Sequence, residues 1–259
     1  MVAGYNRWKR RKIHGLDNRA ILLRCCAKVA CIPGQPDVCI AKNFCLQNGD
    51  DAIILRHSTT SSNLMKFHAL LPAVFSASWC DQLIKNVSGQ GFLPASVNNY
   101  GVTQKMTAVR NNDRAAFQNK TLALDIEAAI NRVAPLLFMD ALRGREFAGI
   151  GSDFKIYKYV PGQYFKPHRD GDVTVDGITS MVTVLVYLND ADGGATVIMP
   201  DGYGKKDNWV SITPRTGDVL LFSHDLWHEG RPVETGEKFV LRTDLCYQAL
   251  PAKGYLSDA

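Results

Sequence analysis

The chain has 259 residues, 46% hydrophobic and 21% charged, enough for one sizeable domain with an appendage and ordinary for a globular protein. No apolar run approaches the ~20 residues of a membrane-spanning helix, so no helical span is expected. The net charge of +5 is unevenly placed: residues 1–28 hold eight basic residues against Asp17, net +7, which leaves the rest of the chain at −2. That balance argues against a body built to bind nucleic acid.

Residues 1–62 read as a poorly patterned basic extension, closed by the polar run His57-Ser-Thr-Thr-Ser-Ser-Asn63, where a domain boundary is placed. Five of the seven cysteines (Cys25, Cys26, Cys31, Cys39 and Cys45) lie in this extension, with Cys80 and Cys246 beyond it. Their spacing matches no paired C-x2-C zinc pattern. An odd total without a secretory signal points to reduced thiols and a cytoplasmic setting, unless the extension is a targeting segment.

Residues 63–150 read as a helical support region. Ser76 or Ser78 is a candidate N-cap for a helix that puts Trp79, Leu83 and Ile84 on one face. A glycine turn at Gly89-Gln-Gly91 precedes an extended segment over 97–109. Thr121–Val133 is the clearest helix, with Leu122, Ile126, Ala129, Ile130 and Val133 in helical period. Pro135 marks its end or the start of a short helix through Leu142.

From residue 151 the period changes to two. Apolar or alternating runs over 154–159, 180–188, 195–199, 210–212, 219–222 and 238–247 are separated by Asn, Asp, Gly and Pro turns. About eight short strands predict a sandwich or jelly roll, so the fold class is α+β, with helices first in the chain and laid over one sheet.

His168 and Asp170 stand two apart near the end of a strand, where side chains i and i+2 share a face. His228, 58 residues beyond Asp170, follows the apolar run Asp218–Phe222. Two imidazoles and one carboxylate on one face of a metal leave three coordination positions open, the set used by non-haem Fe(II) oxygenases. His224 offers a weaker fourth ligand. His14, His57 and His68 carry no partner pattern and read as surface or helix histidines.

The order of motifs over about 90 residues resembles the catalytic domain of prolyl 4-hydroxylases and related 2-oxoglutarate/Fe(II) dioxygenases. The matching residues are Tyr159-x8-His168-x-Asp170, Tyr187-Leu-Asn189, Gly193-Gly194-x-Thr196, Pro214-x-x-Gly217-Asp218-x-Leu220-x-Phe222 and His228-x3-Pro232 through Lys238. Upstream, Val109–Arg114 and the following helix resemble that family's helical support. The resemblance implies a double-stranded β-helix core. It implies Fe(II) held by His168, Asp170 and His228, with 2-oxoglutarate and O2 as co-substrates and ascorbate as accessory reductant.

Lys238, ten residues past the distal His, matches the residue that pairs with the C5 carboxylate of 2-oxoglutarate. Arg242, four further on and on the same strand face, is a second candidate, and the sequence does not choose between them. Tyr159 and Tyr187 match tyrosines that line the co-substrate pocket, and Thr183 and Thr196 offer hydroxyls. Asp244 is a candidate partner for an arginine.

The implied activity is hydroxylation of a C–H bond, first of peptidyl proline in a peptide or protein substrate. A free amino acid, a small metabolite or a nucleic-acid base would suit the same chemistry, and a jelly roll used only for binding is the reading from another class. The loops 172–179 and 200–208 are expected to rim the opening. The basic tail keeps a nucleic-acid contact open, against the near-neutral body.

Overall fold

A computed structural model describes residues 66–96, 104–135 and 142–250, and the backbone alone of the strand residues 28–32, 35–42, 53–57, 97–99 and 102–103. The strands in chain order are β1 (Lys28–Ile32), β2 (Gln35–Lys42), β3 (Ile53–His57), β4 (Lys66–Leu71), β5 (Leu93–Pro94), β6 (Val97–Asn99), β7 (Val102–Gln104) and β8 (Asp113–Gln118). They continue as β9 (Arg145–Ile150), β10 (Asp153–Tyr159), β11 (Phe165–His168), β12 (Val173–Val175), β13 (Ile178–Tyr187), β14 (Asp192–Gly193), β15 (Thr196–Met199) and β16 (Val210–Ile212). The last four are β17 (Val219–Ser223), β18 (Trp227–Gly230), β19 (Val233–Thr235) and β20 (Lys238–Ala249). The helices are α1 (Ala77–Ser88) and α2 (Lys120–Val133).

Each helix starts at a side-chain cap. Ser76 accepts a hydrogen bond from the Trp79 amide, and Asn119 accepts one from the Leu122 amide. Leu122, Ile126, Ala129 and Ile130 are buried, as their period predicts. Residues 136–141, which would carry the short helix after Pro135, lie outside the described residues.

The main sheet runs β1-β2-β3-β4-β17-β13-β20-β10-β8-β5, and a second sheet runs β11-β18-β15-β16. Alternation decides what each face of the main sheet touches. Val182, Val184 and Val186 of β13, Val219 and Leu221 of β17, and Phe239, Leu241 and Leu245 of β20 bury in one cluster with α1 and α2. Their neighbours in sequence turn the other way. Tyr187, Leu220, Phe222 and Val240 pack with Ile198 and Ile212 of the second sheet. The molecule is thus two sheets face to face with helices on the outside of one, the arrangement a double-stranded β-helix requires.

The first half of the chain is less helical than its pattern predicts. It adds β1–β4 to one edge of the main sheet and β8 and β5 to the other. Within 1–62, three backbone strands are described; the cysteine cluster's side chains, the basic tail and the polar run after His57 lie outside the described residues. His68 corrects its expected place: it is a buried strand residue of β4, 3% exposed. Among the described residues no helix is long and apolar enough to cross a membrane.

Candidate active site

β11 and β18 are antiparallel, and His168 and His228 are direct cross-strand partners. That register brings together two residues sixty positions apart in sequence. Asp170 lies just past β11, where its amide donates to the His224 carbonyl at 3.1 Å. One ligand atom from each of His168, Asp170 and His228 falls within 4.8 Å of the others. His168 Nε2 is 3.8 Å from Asp170 Oδ1, and His228 Nε2 is 3.7 Å from Asp170 Oδ2.

The two imidazoles are oriented from behind. His168 Nδ1 lies 2.8 Å from the Lys166 carbonyl, and His228 Nδ1 lies 3.1 Å from the Leu226 carbonyl. A carbonyl only accepts, so each Nδ1 carries the proton and each Nε2 keeps its lone pair for the site. Burial, helped by the facing His228, pushes the His168 pKa down to about 3, and burial lowers that of His228 as well. Both rings therefore stay neutral at ordinary pH, as metal ligands must. For Asp170, burial would raise the pKa, but Arg242 and then the two imidazoles and the Thr183 hydroxyl outweigh it and hold the carboxyl ionised. Phe165 stacks on His168 at 3.5 Å between ring centroids, and Phe222 sits 4.4 Å from His228.

Tyr159, His168, Asp170, Thr183, Thr196, His228, Lys238 and Arg242 line one cleft between the two sheets. Lys238, Val240 and Arg242 face it because they alternate with the core residues Phe239 and Leu241 on β20. Lys238 is 3% exposed. Its ammonium donates to the Gly194 carbonyl and lies 5.3 and 5.6 Å from the rings of Tyr159 and Tyr187. None of its contacts among the described residues is a carboxylate, and burial drives its pKa down to about 7. Gly194 makes room for this side chain: a Cβ there would come within 3.0 Å of Lys238 Cδ.

Arg242 differs. Its Nη2 lies 3.3 Å from Asp170 Oδ2 and 3.1 Å from Asp244 Oδ1, so the expected Asp244–arginine pair is present. Tyr187 is fully buried behind Lys238, and its hydroxyl donates to Thr196 at 2.8 Å. Burial pushes the Tyr159 hydroxyl up to about 12, so it stays protonated. Thr183 donates to Asp170. Trp227 is not among the cleft residues; it alternates away from His228 and meets Arg169 and Tyr203. His224 is not part of the ligand cluster. Its Nδ1 lies 3.1 Å from Asp172 and its Nε2 3.3 Å from Asp244.

Tyr157, which the sequence places in the barrel or at its rim, lines the cleft; sequence reasoning missed Arg143 and Asp225, which with Asp172 form ion pairs next to the site. The one available signal was the run His168-x-Asp170-x-Asp172, whose spacing continues the shared face beyond the ligands.

The donor set suits a first-row divalent metal, since imidazole and carboxylate together select Fe(II) with open positions. A buried cation in the same cleft, with no carboxylate in contact among the described residues, suits an anionic co-substrate. Residues 154–243 match the model of the 2OG-Fe(II) oxygenase superfamily. Probable prolyl 4-hydroxylase 11 of Arabidopsis thaliana is 38% identical over 73 residues, 28% of this chain and 25% of that protein. Probable prolyl 4-hydroxylase 3 of the same plant is 30% identical over 117 residues, 34% of this chain and 40% of that protein. The chain therefore spans between a quarter and two fifths of the length of the curated relatives it matches. Among solved structures, a prolyl hydroxylase from Trichoplax adhaerens, in complex with a hypoxia inducible factor oxygen degradation domain peptide fragment, superposes with a TM-score of 0.53. It is 18% identical, covers 69% of this chain and 82% of its own, and shares the fold. Over residues 154–243 the chain thus matches the 2OG-Fe(II) oxygenase superfamily and is similar in sequence to prolyl 4-hydroxylases.

Proposed function

We propose that this chain is a 2-oxoglutarate- and Fe(II)-dependent dioxygenase that hydroxylates a substrate C–H bond, with peptidyl proline as the substrate. One observation carries the reading: the His168–Asp170–His228 cluster and the buried, carboxylate-free ammonium of Lys238 face one cleft. Iron with 2-oxoglutarate would supply the oxidising power, with succinate and CO2 released alongside the hydroxylated product. The chain supplies ligation, orientation and the exclusion of water.

The backbone carbonyls of Lys166 and Leu226 hold both imidazoles in the tautomer that exposes Nε2. Lys238 holds the C5 carboxylate of the co-substrate, because Arg242 already faces two carboxylates and Lys238 faces none. Pairing with a carboxylate returns the Lys238 ammonium to its charged form in a site that otherwise disfavours it. The Tyr159 and Tyr187 rings pack beside that ammonium and exclude water from the pair. The names of the prolyl 4-hydroxylase relatives support proline in a peptide. Ascorbate as accessory reductant belongs to the same proposal and rests on the resemblance alone.

Residues 151–259 would form the catalytic core, with 63–150 as its support and 1–62 as an appendage. The free thiols of Cys80 and Cys246 suit a reducing compartment such as the cytoplasm. The test is an anaerobic titration with Fe(II) and 2-oxoglutarate. A visible charge-transfer band that needs both components and is lost in His228→Ala supports the reading, and succinate release driven by prolyl peptides then supports the substrate. Well-folded protein with no band would overturn it.

A further inference from the structure

Arg242 is the second cation of the cleft, and its contacts give it work other than binding a co-substrate. We propose that Arg242 is a positioning residue for the metal ligand Asp170, at the inner end of a network of ion pairs and hydrogen bonds that reaches the surface. The proposal rests on the reading of His168, Asp170 and His228 as iron ligands.

The two oxygens of Asp170 are treated differently. Oδ2 accepts the Thr183 hydroxyl at 2.5 Å and faces Arg242 Nη2 at 3.3 Å. Oδ1 accepts no side-chain hydrogen bond among the described residues; it lies 3.8 Å from His168 Nε2, and Oδ2 lies 3.7 Å from His228 Nε2. A carboxylate with both local donors on one oxygen offers the other oxygen to a metal. Binding through both oxygens would use one more coordination position, and this chemistry needs three left open.

Asp170 needs such a hold because its own backbone support is slight. It follows a four-residue strand that pairs with β18 at only Phe165 and His168. Arg242, by contrast, stands on the twelve-residue β20, with β13 on one side and β10 on the other. From Arg242 the polar contacts continue outward without a break. Asp244 Oδ1 lies 3.1 Å from Arg242 Nη2 and 3.3 Å from His224 Nε2. His224 Nδ1 lies 3.1 Å from Asp172, Asp172 lies 3.3 Å from Arg143, and Arg143 lies 3.0 Å from Asp225. The loop after β11, the loop after β17 and the last strand are joined by this one network.

The guanidinium suits the post because one planar group faces two carboxylates and also reaches Thr183 Oγ1 at 3.5 Å. Without it, Asp170 and Asp244 would be two half-buried like charges with no cation between them, and their repulsion would turn the ligand away from its aim.

The test uses the full chain and Mn(II) as an EPR-visible probe. Loss of a partner that orients a ligand typically weakens metal binding about 10–100-fold, and that is expected for Arg242→Met, with part of the loss recovered in Arg242→Lys. At saturating metal the 2-oxoglutarate requirement of Arg242→Met stays near that of wild type. Lys238→Ala shows the reverse pattern, a raised 2-oxoglutarate requirement with unchanged Mn(II) affinity. Unchanged Mn(II) affinity in Arg242→Met with a raised 2-oxoglutarate requirement would overturn the proposal and make Arg242 an anchor. If circular dichroism shows Arg242→Met unfolded, Thr183→Val carries the test. It removes the other donor to Oδ2, and weakened Mn(II) binding is again expected, while unchanged binding overturns the proposal. Wild-type protein that binds Mn(II) no better than His168→Ala would remove the ligand set itself, and the proposal with it.

Discussion

Replacing Lys238 with methionine should make the ligand-free protein more stable while it destroys the co-substrate site. Burial alone lowers the Lys238 pKa to about 7. Against ~10.4 for a free lysine, at 1.36 kcal/mol per unit, keeping this group charged in the fold costs about 4–5 kcal/mol. Methionine has a similar shape and no charge, but it gives up the bond to the Gly194 carbonyl, worth about 1–2 kcal/mol. The net expectation is a gain of about 3 kcal/mol at pH 7.

The pH dependence has a fixed sign. The folded pKa lies below the unfolded one, so between about 7 and ~10.4 the unfolded chain binds the extra proton. Wild-type stability therefore rises with pH across that window, and the advantage of Lys238→Met shrinks toward pH 10. The Cys80 and Cys246 thiols, pushed up to about 11 by burial, titrate with the opposite sign, but they do so in both proteins and cancel in the difference. Urea unfolding of chelator-treated protein from pH 7 to 10 measures it. A Lys238→Met protein less stable than wild type at pH 7, or a difference that does not change with pH, would refute the account of Lys238 as an uncompensated buried cation.

Gly217→Ala should lower stability by at least about 3 kcal/mol, because a left-handed residue gains strain and its Cβ would fall 1.9 Å from the Phe75 carbonyl oxygen. A wild-type melting temperature would contradict that contact. Asn189→Ala removes bonds of 2.7 Å to the Phe239 amide and the Glu237 carbonyl. It should cost about 2 kcal/mol and raise the 2-oxoglutarate requirement by loosening the strand start that carries Lys238; a change in neither would detach the tether from the site. His228→Ala and Asp170→Ala should each lose metal binding and turnover with circular dichroism unchanged, and succinate production in either would sink the ligand assignment.

Much of the site was legible because strand geometry is a simple rule. Alternation along 180–188 and 238–247 separates core residues from cleft residues, so the inward face of Lys238 and Arg242 follows from counting. The chemistry of two imidazoles and a carboxylate did the rest. The partners of Arg242 were only partly legible. Asp244 shares its strand, but His224, Asp172, Arg143 and Asp225 lie in turns and loops, where no period announces a neighbour. The early strands escaped for a related reason. β4, β5 and β8 join edges or flanks of the main sheet through long-range pairings, and their residues lack clean alternation: β4 buries three of six without a steady period. His68 was misplaced on that account.

The two halves of the site stand on unequal ground. Lys238, Arg242 and Asp244 belong to a strand laddered on both sides, whose amides should exchange with solvent deuterium only through opening of much of the fold. His168 and Asp170 belong to a short strand with two paired positions and the loop after it. That half should exchange first, and a metal ion should slow it by many-fold. One wall of the cleft is built as a fixed template for an anion. The other is a lighter flap, free to adjust around an ion as it arrives.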